Sequence, residues 1–258
     1  LNVSLAMADL ASRDGMPGEG SWDKITREGV YYLALHEVGH ALGLTHNMMG
    51  SYYRPPTLLS GPGAADEERL SNSVMDYPAI NIAPPGRTQG RYFPTEPGPY
   101  DIWAIQYAYA PEMSDPSIMA AHMGRSGEPD LHFGNDADLM ASPGRGIDPR
   151  VNVYDLSSDP IAYAGIQVDI VWALVPELRA RMLKPGESHG ELTRAFNVVL
   201  GILERAGIVA SRYIGGVYVD RSFVGDPSAE VAPHQPVPYA TQKRAMAFLV
   251  ERQFAPDA

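Results

Sequence analysis

His36-Glu37-Val38-Gly39-His40-Ala41-Leu42-Gly43-Leu44-Thr45-His46 places three imidazoles and one carboxylate within a single short run. Each residue of an α-helix advances about 100°, so His36 and His40 stand nearly one above the other and can grip one metal ion. Glu37 is the next residue round that helix. Gly43 accepts a backbone turn that a residue with a Cβ resists, which brings His46 back toward the same ion. H-E-x-x-H alone recurs by chance; the glycine and third histidine at fixed places make the longer pattern specific. Three neutral imidazoles on zinc leave one position for water, and the metal lowers that water's pKa to about 7. Glu37 is then placed to take the water's proton and later to pass it to a leaving amine.

Outward from this stretch, a helix is expected from Trp22 to Gly43, with Ile25, Val30, Leu33, Ala34, Val38, Ala41 and Leu42 as its apolar positions. Before it, Val3, Leu5 and Met7 alternate as a strand would, although a short helix through Leu10 fits too, and a Gly/Pro-rich turn runs from Asp14 to Ser21. Residues 47–99 carry much Pro and Gly and read as long ordered loops with at most short helices. A helix begins near Tyr100 and stops at Pro111, and Ser114-Asp115-Pro116 caps another short one. Residues 122–158 read as irregular. Asp159-Pro160 opens a helix to about Leu183, kinked at Pro176. Ser188-His189-Gly190-Glu191 reads as a capping box for a helix through Leu203. Gly215-Gly216 turns into a strand over 217–223, and a last helix after Pro238 ends near Gln253.

The chain has 258 residues, 45% hydrophobic and 20% charged, which is globular composition. A formal net charge of -11 argues against nucleic acid or an anionic membrane as partner. No run is expected to span a membrane. The sequence has no cysteine, so zinc must be held by His or carboxylate. It opens on Leu1, which suggests a piece excised from a longer precursor.

The extended histidine motif resembles the metzincin zinc peptidases, which also carry a methionine turn beneath the metal. Ser73-Val74-Met75-Asp76-Tyr77 follows His46 in the order that family requires. Together with Asp101 to Tyr107, Asp148 to Asp155, Asp159 to Ala164 and Gly215 to Tyr218, the pattern looks like the bacterial Met-zincin family across nearly the whole chain. The resemblance implies a zinc-dependent endopeptidase with His36, His40 and His46 as ligands and Glu37 as base. Met75 would floor the imidazoles, and Tyr77 would ligate zinc or stabilise the oxyanion. Pro78-Ala79-Ile80 would wall the primed-side pocket. A protein or peptide is the implied substrate, and a secreted, periplasmic or envelope location goes with the family.

Metzincins usually place a sheet before the metal helix, and its edge strand pairs with substrate. Only 35 residues precede His36, so most of that upper wall is expected to lie in N-terminal domains of the precursor. The fold expected is predominantly α with a small β component (α+β). It would be one domain over 1–258, with 1–46 as upper remnant and zinc helix and 47–258 as a mostly helical lower part. Two other functions compete: a zinc hydrolase of non-peptide amides, and a non-catalytic envelope scaffold with structural zinc.

Further polar groups have ordinary explanations beside functional ones. Asp101 either bonds the methionine turn or caps its own helix. Asp136, Asp138 and Asp148 are the carboxylates that could hold Ca2+, though solvated loop carboxylates are commoner. His122, His132, His189 and His234 lack ligand spacing and read as surface or capping residues. Trp103, Tyr107 and Tyr109 read as a packed helix face.

Overall fold

The computed structural model describes residues 19–60, 69–84, 86–140, 146–183, 185–186, 188–223 and 232–255. The readings made for 1–18, including the strand through Met7, lie outside the described residues. Nine α-helices and one two-stranded sheet are assigned among the described residues, in keeping with a mostly α fold.

α1 (Glu19–Ala41) carries the first two histidines, and its inward stripe is not the expected one. Val30, Leu33 and Val38 are 62%, 55% and 54% exposed. The stripe that packs is Ile25, Gly29, Tyr32, His36 and Gly39, spaced four, three, four and three as one helix face requires. Ile25 is buried with Tyr92 and Phe93, Tyr32 stacks on Phe93 with ring centroids 5.8 Å apart, and Phe93 also crowds Gly29. The buried Glu28 carboxylate accepts from the Tyr92 amide at 2.6 Å. Apolar identity misled because the helix turns its ligand-bearing side to the rest of the chain.

α2 (Pro56–Leu59) is a single turn in the long loop region, as expected. α3 (Pro99–Tyr109) starts with Pro at its first turn and ends before Pro111. α4 (Pro116–Met123) is capped by Asp115, which accepts from the Ser117 amide at 2.8 Å. α5 (Asp136–Leu139) is one turn capped by Asn135.

α6 (Pro160–Leu174) begins at the expected cap, with the Asp159 carboxylate accepting from the Ala162 amide. Pro176 falls in a 3-10 turn, Val175–Glu177, after which α7 (Leu178–Met182) continues. By length and composition Pro160–Ala180 is apolar enough to cross a membrane, contrary to the expectation that no run was. Half of that window is buried here, and α6 packs on α8 (Gly190–Ser211). Val171 and Leu174 meet Ala195 and Val199 at one end of this contact, and Ile161 and Ala164 meet Ala206 and Ala210 nearer the other. Full burial of each large aliphatic chain contributes about 1.5–3 kcal/mol.

The capping box at Ser188 does not form. His189 is the N-cap of α8, and Ser188 Oγ accepts from the Gly190 amide instead. The strand expected over 217–223 is shorter: β1 (Val217–Val219) pairs antiparallel with β2 (His234–Pro236), Tyr218 opposite Gln235. α9 (Tyr239–Arg252) closes the described chain and buries Phe248 and Leu249 against α6 and α8.

Candidate metal centre

His36, His40 and His46 are the one group of three or more potential ligands among the described residues whose donor atoms converge, all within 4.8 Å of one another. α1 delivers the first two, and Gly43, with φ +92°, makes the turn that returns His46. That positive φ is the conformation a side chain disfavours.

Each imidazole is oriented through its other nitrogen. His36 Nδ1 lies 2.8 Å from the Val74 carbonyl and His40 Nδ1 lies 3.0 Å from the Leu44 carbonyl, so both must donate there. His46 Nδ1 is 3.0 Å from both carboxylate oxygens of Asp136. The Nε2 lone pairs are thereby left facing inward. His40 Nε2 and His46 Nε2 are 3.2 Å apart, and His36 Nε2 is buried with no hydrogen-bond partner among the described residues. Lone pairs brought this close repel unless a cation lies between them. Two nitrogens at 2.0–2.1 Å from a tetrahedral zinc sit about 3.3 Å apart, so the His40 and His46 pair already has the spacing that ion requires, with a His36 donor within 4.8 Å of them. Burial, the largest cause, lowers the His36 pKa and favours the neutral form that a metal requires.

The methionine turn lies under this cluster. Met75 is fully buried, and its sulfur would be 2.3 Å from a Cβ placed on Gly39. Gly39 is therefore the residue that lets the turn reach the helix. Asp101 performs both of the roles considered for it. Its carboxylate accepts from Ser73 Oγ at 2.6 Å and the Val74 amide at 2.8 Å, and from the Gly98 amide at the start of α3. The Tyr32 hydroxyl donates to the Asp76 carbonyl, tying the turn to α1 again.

The Tyr77 hydroxyl is 2.8 Å from His46 Nε2, and its ring stacks on His36 at 5.0 Å. Burial first, then the charges of Asp136 and Glu37, raise its pKa. Glu37 lies on the exposed side of α1, and its charge also acts on His36.

Asp136 was grouped in sequence with Asp138 and Asp148, but the structure gives each its own partner. Asp136 faces His46; Asp138 accepts from the Asn135 amide and pairs with Arg221; Asp148 pairs with Arg150. These three do not converge into a ligand group among the described residues. Sequence reading missed Asp136 as a support for zinc because it is 90 residues from His46. It missed Gly39 too, although a glycine inside a helix is itself a signal of close approach. Asn47 explains how so distant a residue arrives: its side chain donates to the His132 carbonyl and accepts from the Gly134 amide.

The other histidines stand apart from the metal centre. His122 is buried rather than at the surface, stacked on Trp103 at 5.2 Å, with its Nε2 donating to the Trp103 carbonyl. His132 is half-buried, His189 stands at the N-cap position of α8 with no capping bond from its side chain, and His234 is exposed in β2. Tyr107 and Tyr109 are exposed instead of packed. Of the expected wall residues, Ala79 and Ile80 line a cavity beside the turn and Pro78 does not.

No curated protein and no solved structure matches the chain. The sequence profile of one family does, over residues 19–258, and its description is Met-zincin. With the converging imidazoles, the methionine beneath them and a profile match over more than nine-tenths of its length, the chain belongs to the Met-zincin family.

Proposed function

We propose that this chain is a zinc-dependent endopeptidase. The observation that carries the reading is the donor set: three Nε2 atoms converge while each Nδ1 is already engaged. A structural zinc normally closes all four positions with protein ligands, whereas a catalytic one keeps a position open.

Zinc bound here supplies a Lewis acid that polarises a carbonyl and acidifies water. The Glu37 carboxylate takes the proton from the attacking water and returns it to the leaving nitrogen. The Tyr77 hydroxyl, beside His46, donates a hydrogen bond to the carbonyl oxygen as negative charge develops there. Val74, Leu44 and Asp136 fix the imidazole tautomers and hold the rings in place.

The test is digestion of an unstructured protein by the zinc-loaded chain, beside Glu37→Gln. Cleavage lost in the variant with zinc content unchanged supports the reading. Intact protein beside rapid hydrolysis of small amides moves it to non-peptide amides, and stoichiometric zinc without turnover moves it to a scaffold.

A further inference from the structure

A cavity of about 250 Å³ opens between α3, residues 126–133 and the end of β1. Its wall at His132 and Phe133 belongs to the segment that Asn47, next to His46, clamps through its carboxamide, and this segment leads directly into α5. The Met48 amide adds a bond to the Gly134 carbonyl at 2.6 Å, and Met49 lines the cavity in turn. α5 is held from a second side. Arg221, also in the wall, pairs with Asp138, while Asp136 on the same single turn faces His46. Whatever fills this space therefore bears on both supports of the turn that orients the third imidazole.

The chemistry of the wall narrows the ligand. Both of its arginines are engaged by carboxylates, Arg150 by Asp148 at 2.7 Å and Arg221 by Asp138, and the Asp220 carboxylate accepts from the Ser222 amide at 2.8 Å. Rings are plentiful: Tyr100 stacks on Phe133 with centroids 5.3 Å apart, and Trp103 lies beside it at 6.1 Å. Met49 and Met123 add sulfur, which packs well against aromatic edges. Two hydrogen-bonding groups of this wall, the Tyr100 hydroxyl and the His132 imidazole, have no partner among the described residues, and neither is sealed from solvent. Burial, then the charge of Arg150, lowers the His132 pKa, so at neutral pH the ring offers one donor and one acceptor. A dry cavity of about 150 Å³ accepts benzene, and this larger space suits one ring or two fused rings.

We propose that this cavity is a regulatory site for a neutral, planar heteroaromatic ring bearing a donor and an acceptor, and that filling it fixes α5 and so tightens zinc at His46. The proposal depends on the metal centre and not on peptide cleavage, so it stands or falls separately from the peptidase reading.

The test is calorimetric titration of the metal-free and zinc-loaded chain with adenine, uracil and indole, with benzoate and benzylamine as charged controls, beside chelator competition for zinc. At least one neutral probe is expected to bind at a single site, and more tightly than either charged ring. Zinc should bind about fivefold or more tighter when the site is full, and the probe should gain the same factor from zinc, because coupling between two binding equilibria is reciprocal. His132→Phe keeps a ring and the backbone carbonyl that Asn47 uses. It should weaken the probe by about 3–10-fold, the scale of one neutral hydrogen bond. Asp136→Ala, outside the cavity wall, should bind the probe as the parent does and lose the coupling. Absence of binding by all three neutral probes, preference for a charged ring, or binding unweakened by His132→Phe overturns the proposal. So does binding that leaves zinc affinity unchanged, or coupling that survives in Asp136→Ala.

Discussion

His46 Nδ1 and the Asp136 carboxylate lie 3.0 Å apart across 90 residues of chain, so the third imidazole is aimed by a group outside the histidine motif. Carboxylates in this position typically account for 10–100-fold in metal affinity. Asp136→Ala should therefore weaken zinc by about 10–100-fold in a chelator competition. Asp136→Asn, which keeps an acceptor, should lose less. The side chain is 63% exposed, so the metal-free unfolding midpoint should hardly move. Unchanged affinity in Asp136→Ala would mean that the contact does not orient the ring.

Gly39→Ala should destabilise the protein even though alanine is the better helix former. The new Cβ would lie 2.3 Å from Met75 Sδ, and overpacking of this kind costs about 1–3 kcal/mol. Denaturant unfolding of Gly39→Ala with and without Met75→Ala checks it. The shorter side chain should recover part of the loss, and a stabilised single variant would contradict the close approach.

Burial, followed by the neighbouring Asp155 carboxylate, pushes the Asp76 pKa up to about 8, and burial pushes Asp155 up to about 6. The unfolded chain releases these protons near 3.8, while the folded one keeps them. Stability contributed by this pair is accordingly lost as pH rises from about 4 toward 8. Asp155→Asn removes one charge and keeps an acceptor for Ser51 Oγ. It should add about 1–2 kcal/mol near pH 8 and little near pH 4, read from urea midpoints. An equal shift at both pH values would point to packing instead.

Leu33→Ser should change stability by no more than about 0.5 kcal/mol, because Leu33 is 55% exposed. Ile25→Ala, at a residue 1% exposed on the same helix, should cost about 2–5 kcal/mol. Comparable losses from the two would restore the face that the apolar positions alone suggest.

The convergence of His36, His40 and His46 was legible because a metal motif packs its chemistry into a few adjacent residues, and Met75 packs against the same helix at Gly39. Helix starts at Pro99, Asp115 and Asp159 were legible because a cap is a local signal. The inward face of α1 was not, since exposure depends on which side the methionine turn approaches. Asp136, Gly39 and the cavity at His132 depend on contacts between distant segments, which periodicity does not encode. Ser188 shows the opposite limit: its local pattern was present, yet the helix started one residue later.

Asn47 holds the segment after His46 to residues 132–134 through both ends of its carboxamide, and Asp136 follows directly. One clamp thus carries both the last imidazole and the group that aims it. A nick or insertion that frees the 132–136 segment would leave this imidazole without the carboxylate that aims it, although its own segment stays tied to Met75. Orientation of the third imidazole thus depends on chain 90 residues away, so the donor set is sensitive to damage at a place the histidine motif does not reveal.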